Sequence, residues 1–199
     1  MFKLLCVTNR ALCREDFLTR LERIARAGAD GIILREKDLS PADYRALARQ
    51  VLALCARHGV PCILHTFSGE AAELGARALH LPLPLLAALD ETARTGFPCL
   101  GASCHSAEEA LRAERLGCSY VTAGHIFETD CKAGLPGRGL EFLADVCRRL
   151  SIPVYAIGGI AGSNLAAVRA AGAAGACVMS GPMTAPDPEA YISALRRQL

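Results

Sequence analysis

The sequence predicts an α/β fold: a single (β/α)8 barrel spanning residues 1–199. Three observations predict it. Eight short apolar runs recur along the chain, helical patterns lie between them, and two boundary signatures alternate from run to run. One signature is a glycine, one or two small residues and then the run: GADGIILRE (28–36), GARALHLP (75–82), GCSYVTAG (117–124) and GAAGACVMSG (172–181). The other is a proline followed by the run: GVPCILH (59–65), GFPCLGASC (96–104) and SIPVYAIGG (151–159), with LLCVT (4–8) in front.

Each run is apolar on both faces, as in a parallel sheet covered on both sides. The alternation favours a closed TIM barrel over an open doubly wound sheet, because a barrel packs alternate strands in layers. The clearest helix is residues 41–58, where Tyr44, Leu47, Ala48, Val51, Leu54 and Cys55 share one face. Ser40 fits its N-cap, Pro41 its first position, and Gly59 its end. Ser106-Ala107-Glu108-Glu109 has capping-box spacing and opens a helix that ends near Gly117. No linker-like stretch interrupts the pattern, so one domain is expected.

Composition excludes several classes. The chain is 52% hydrophobic, 21% charged and 5% aromatic, with a net charge of +2. That balance offers no basic surface for nucleic acid or membrane. Trp is absent, which removes the best base-stacking platform. No apolar run is long enough to cross a bilayer, and MFKLLCVTNR is too short in its apolar part for a signal peptide. A cytoplasmic location is expected. Exposed apolar helix faces are compatible with a homo-oligomer. The ten cysteines include no CxxC pair, and most are flanked by apolar residues, as in Leu5-Cys6-Val7. They read as reduced thiols acting as small hydrophobes rather than as a disulfide framework. Cys131 differs, because it lies in a polar loop.

In a barrel, chemistry sits at the C-terminal strand ends. Those ends carry Thr8-Asn9-Arg10, Arg35-Glu36-Lys37, His65-Thr66, His80, Ser103-Cys104-His105-Ser106, Gly124-His125, Gly158-Gly159 and Ser180-Gly181. Glycines after strand 7, and Ser-Gly after strand 8, can aim backbone N–H groups at a phosphate. Gly158, Gly159, Met179, Ser180 and Gly181 are therefore phosphate-binding candidates, although Gly158 and Gly159 are also compatible with a simple tight turn. GHIFETDCKAGLPGRG (124–139) gathers one histidine with acids, cations and four glycines. His125 follows a strand directly, and imidazole exchanges protons near neutrality, so it leads as general acid/base. Lys132 is a candidate for a substrate anion; for Lys132 and Arg138, solvated surface charge is the other reading. Glu128 and Asp130 are open between orienting His125, binding a metal and capping the loop. His80 reads as a hydrogen-bonded core histidine, and the His105 ring as a support for the end of strand 5. No two histidines share a metal-binding helical spacing, so no metal site is expected. Ser103 and His105 are expected to face opposite ways, which argues against a Ser–His nucleophile pair.

These residues carry a resemblance. LREK (34–37), SCHSAEEALRAERLG (103–117), GHIFETDCKAGLPGRG (124–139), PVYAIGGI (153–160) and VMSG (178–181) resemble the family of thiamine phosphate synthases and their sister thiazole tautomerases of the TenI type. The family has two chemistries. The synthase joins a pyrimidine diphosphate to a thiazole phosphate and needs magnesium, held by carboxylates. The resemblance places its aspartates in an Asn-Asp-Arg segment after strand 3 and a Gly-Gln-x-x-Asp segment after strand 4. Here those places hold Leu64-His65-Thr66-Phe67 and Leu81-Pro82-Leu83-Pro84. The loop after strand 6 instead resembles the tautomerase version, in which the histidine is catalytic.

The resemblance thus implies an isomerase of thiamine biosynthesis. Its substrate is a carboxylated, not yet aromatic thiazole bearing an ylidene-ethyl phosphate. His125 would move a proton from the carboxylate-bearing ring carbon to the exocyclic carbon, with no cofactor. Ser103, His105, Thr129 and Lys132 are implied for the carboxylate or for proton relay. Arg35 and Lys37 match residues that hold diphosphate in the synthase. Two alternatives stand: a synthase with relocated magnesium ligands, Glu36 and Asp38, and a non-catalytic regulator that binds a thiazole phosphate.

Overall fold

In the computed structural model, which describes residues 1–129, 132 and 134–199, eight parallel strands close into a barrel in sequence order. They are β1 (Lys3–Val7), β2 (Gly31–Leu34), β3 (Cys62–His65), β4 (Ala78–Pro82), β5 (Cys99–Cys104), β6 (Tyr120–Gly124), β7 (Val154–Ile157) and β8 (Gly175–Val178). β8 pairs with β1 through Lys3↔Gly175 to Cys6↔Val178, and this closure excludes the open doubly wound sheet. The helices are α1 (Phe17–Arg26), α2 (Pro41–Arg57), α3 (Ser68–Glu73), α4 (Leu83–Ala88), α5 (Glu91–Thr95), α6 (Ala107–Arg115), α7 (Gly139–Arg149), α8 (Leu165–Ala170), α9 (Ser180–Thr184) and α10 (Pro188–Arg196). None of the described helices is long and apolar enough to cross a membrane.

Strand alternation splits the core in two. Leu5, Val7, Ile33, Ile63, Tyr120 and Tyr155 point into the barrel, while Leu4, Ile32, Leu34, Leu79, Val121 and Ala156 point out against the helices. The inner layer is filled by pairing rings with glycines. Gly101 is in register with Tyr120, and Gly175 with Tyr155. A Cβ on either glycine would overlap the neighbouring ring, so the aromatic rings lie where those side chains would be.

The predicted helix starts form as expected. The Asp43 N–H donates to Ser40 Oγ at 3.2 Å, and Pro41 opens α2. The Glu109 N–H donates to Ser106 Oγ at 3.0 Å, but the Glu109 carboxylate reaches one residue further back and accepts from the His105 N–H at 2.5 Å. That contact anchors His105 to α6. Gly59 and Gly117, at φ +65 and +91, turn the chain out of α2 and α6 in the left-handed region that only glycine enters at little cost. The nine described cysteines are free thiols, and burial pushes Cys104, Cys118 and Cys177 up to about 12, where they are inert. Cys131 lies outside the described residues.

Candidate active site

A cavity of about 320 Å³ opens at the C-terminal ends of the strands. The catalytic, substrate-binding and phosphate-binding candidates from the sequence line it, whereas Arg10, Glu36, Asp38, Glu128 and Arg138 do not. From β2 come Arg35 and Lys37, from β5 Ser103 and His105, and from the loop after β6 His125, Thr129 and Lys132. Gly158 and Gly159 after β7, and Met179, Ser180 and Gly181 after β8, complete the opposite wall.

The loop after β6 is pinned at both ends. Ile126 N–H donates to the Ile157 carbonyl at 2.9 Å and Phe127 N–H to that of Gly158 at 3.1 Å. Its far end folds back, with Arg138 N–H on the His125 carbonyl and Gly139 N–H on that of Ile126, each at 2.9 Å. Arg138 Nε donates to the Gly124 carbonyl at 3.2 Å, and its guanidinium lies 5.6 Å from the Phe142 ring centre. Arg138 is therefore a clasp of the loop rather than a solvated charge. Gly137 is required there, because a Cβ would sit 2.5 Å from the Ile126 carbonyl oxygen.

Two histidines have assignable ring protons. His125 Nε2 lies 3.2 Å from the Leu135 carbonyl. A carbonyl only accepts, so neutral His125 carries its proton on Nε2 and keeps Nδ1 as a base. His105 Nδ1 lies 2.8 Å from the Gly124 carbonyl, so that ring donates from Nδ1. Glu128 is exposed and hydrogen-bonds to neither ring. Asp130 lies outside the described residues.

Ser103 and His105 require a correction. Both line the cavity, because residues two apart on a strand share a face. They still form no nucleophile pair: Ser103 Oγ is 2.8 Å from His80 Nε2 instead. His80 and His65 are buried and stacked, with ring centres 5.5 Å apart. Burial lowers His80 to about 3, with help from the Lys37 charge. Burial, then His80, Lys37 and Arg35, lower His65 to about 2. Both are neutral at physiological pH and cannot serve as cations.

No Asp or Glu lines the cavity among the described residues, whereas three cations do. Partial burial and the neighbouring charges of Arg35 and Lys132 lower the Lys37 ammonium, the mark of a rim that gains from an incoming anion. Glu36 is 2% exposed and is already engaged: it accepts from Thr8 Oγ1 at 2.6 Å and from the Arg10 backbone N–H and guanidinium. Asp38 accepts from the same guanidinium at 2.6 and 2.7 Å. No group of three or more His, Cys, Asp or Glu among the described residues has a metal-binding arrangement.

The wall made by β7 and β8 presents backbone. Gly158 and Gly159 have φ of +98 and +65, and α9 starts without a side-chain cap. The first-turn N–H groups of Ser180 and Gly181 have no acceptor within their own helix. Thr122, unremarked in the sequence, also lines the cavity, 2% exposed and without a hydrogen-bond partner for Oγ1 among the described residues.

A family profile described as thiamine monophosphate synthase matches residues 4–181. The chain is 40% identical over 187 residues to a thiamine-phosphate synthase of Thermus thermophilus, covering 93% of this chain and 90% of the relative. It is 37% identical over 179 residues to one of Bacillus licheniformis, covering 87% and 80%. The solved thiamine phosphate pyrophosphorylase of Pyrococcus furiosus matches with a TM-score of 0.85 at 29% identity, covering 99% of this chain and 95% of that one.

Proposed function

Because the chain belongs to the thiamine monophosphate synthase family, we propose that its cavity carries out the family's tautomerase chemistry, aromatising a carboxylated thiazole phosphate. The observation that carries this reading is the make-up of the lining: His125 and three cations, with no carboxylate among the described residues. Proton transfer within an anionic substrate needs a base and positive potential. Magnesium-assisted departure of a diphosphate favours carboxylate ligands, which the described residues of this lining do not offer.

The step balances with one residue. His125 Nδ1 takes the proton from the ring carbon that bears the carboxylate. The resulting imidazolium keeps its Nε2–H on the Leu135 carbonyl. It then returns a proton to the exocyclic carbon, the double bond moves into the ring, and His125 is neutral again. The phosphate is held by backbone N–H groups at Gly159, Ser180 and Gly181, beside Gly158 and Met179. Arg35, Lys37 and Lys132 raise the local concentration of the anionic substrate, and His105 and Thr129 flank it. Anchoring at the phosphate fixes the reacting carbons against the base.

A second reading, synthesis of thiamine phosphate, is favoured by the names and identities of the relatives. It would draw its metal ligands from Glu36 and Asp38. Both carboxylates are bound to Arg10, and neither lines the cavity.

The test is the ylidene carboxythiazole phosphate in the presence of a chelator, followed by ultraviolet absorbance. The wild type converts it, and His125→Gln loses about 100-fold or more in rate. Conversion at the buffer rate, or an undiminished His125→Gln rate, contradicts the reading.

A further inference from the structure

Thr122 lies on the inner face of β6, two residues deeper than Gly124. Its buried hydroxyl has no partner among the described residues, a state that is unfavourable unless a ligand or solvent supplies one. Ser103 stands in register with it on β5, and both line the cavity.

The Ser103 hydroxyl is aimed by a chain of groups. Tyr120 Oη is 2.9 Å from His80 Nδ1, and His80 Nε2 is 2.8 Å from Ser103 Oγ. Neutral His80 has one proton to give. The Tyr120 hydroxyl has no other hydrogen bond among the described residues. If it donates to Nδ1, every buried proton in the chain is used. Nε2–H then donates to Ser103 Oγ, and the Ser103 proton points away from His80, free for an acceptor. Two hydroxyl donors thus stand side by side on strands about 4.8 Å apart. That pattern suits a planar group with two acceptor oxygens. Lys37 adds positive potential, since its charge is felt at both His65 and His80.

We propose that the Thr122 and Ser103 hydroxyls seat the ring carboxylate of the substrate, with His80 and Tyr120 as positioning residues that aim the Ser103 proton. The identity of the ligand rests on the tautomerase reading. Removing a proton from the carbon next to a carboxylate moves negative charge onto its oxygens. The two hydroxyls are then hydrogen-bonded where charge develops, which lowers the barrier. They also separate the carboxylate from the phosphate wall and fix which face of the ring meets His125.

The test compares two ligands by calorimetry: the aromatic carboxythiazole phosphate and its decarboxylated counterpart. The unmodified protein prefers the carboxylated ligand. Thr122→Val weakens that ligand about tenfold and leaves the decarboxylated one unchanged. Its unliganded melting temperature stays level or rises, because an unpartnered buried hydroxyl is gone. Tyr120→Phe shows the same ligand-selective loss. Equal weakening of both ligands, no weakening of either, or a wild type that does not bind or distinguish the two overturns the proposal. Failure of the tautomerase reading is read separately, as wild-type protein that fails to aromatise the ylidene substrate.

Discussion

Tyr44 shows how a single buried hydroxyl can hold the site's frame. It donates to the Leu34 carbonyl and accepts from the His65 N–H, both at 2.8 Å, tying the ends of β2 and β3 to α2. Its ring stacks on Phe67 with centres 4.2 Å apart. Tyr44→Phe keeps the packing and strands both backbone groups. It should cost about 1–3 kcal/mol in denaturant unfolding without changing the slope, and an unchanged midpoint would contradict this. At this scale the sequence was unevenly legible. His125 could be found because a strand end followed by a polar loop is an unusual place for an imidazole. The cavity-lining role of Thr122 could not, because threonine is an ordinary strand former and its orphaned hydroxyl exists only once the barrel closes. Glu36 and Asp38 looked available as ligands in one dimension; Arg10, 26 and 28 residues away, occupies both.

The start of the loop after β6 packs closely because the two residues that follow β7, Gly158 and Gly159, have no side chains beneath it. A Cβ on Gly158 would overlap the Cα and Cβ of His125, and one on Gly159 would meet Phe127 and the Glu128 carbonyl. This pair therefore has a structural task besides any phosphate contact. Gly158→Ala combines a φ of +98 with that overlap. It should displace His125 and cut the aromatisation rate about 100-fold, while unfolding assays still show a cooperative protein. An activity within threefold of wild type would mean the loop is not positioned by this contact. The caps of α2 and α6 were readable from Ser40 and Ser106, since capping is a local interaction. The short α4 and α5 were not: Leu83-Pro84-Leu85-Leu86 has too few residues to show a helical stripe, and packing against the sheet decides its form.

Across the whole molecule, the eight strands were legible because both faces are covered and every run is apolar over most of its length. Closure was inferred from the alternation of signatures, and the β8–β1 register shows it. The polar interior has a consequence for stability. His65 and His80 are lowered from an ordinary value of 6.5 to about 2 and about 3. Depressed values mean that the unfolded chain binds these protons first. Their contribution is fully present above pH 6.5 and is lost as pH falls toward 3. Stability should decline below pH 6 by up to about 1.4 kcal/mol per pH unit for each group, measurable by denaturant unfolding between pH 7 and pH 5. A flat profile over that window would contradict neutral, buried rings. The central claim is that this barrel holds proton-transfer chemistry rather than a metal–diphosphate site. It is tested most directly by giving the purified protein, in parallel, the ylidene carboxythiazole phosphate with chelator and the pyrimidine diphosphate plus thiazole phosphate with magnesium. Rapid aromatisation in the first and no thiamine phosphate in the second is the predicted result; magnesium-dependent thiamine phosphate with no aromatisation above buffer would contradict it.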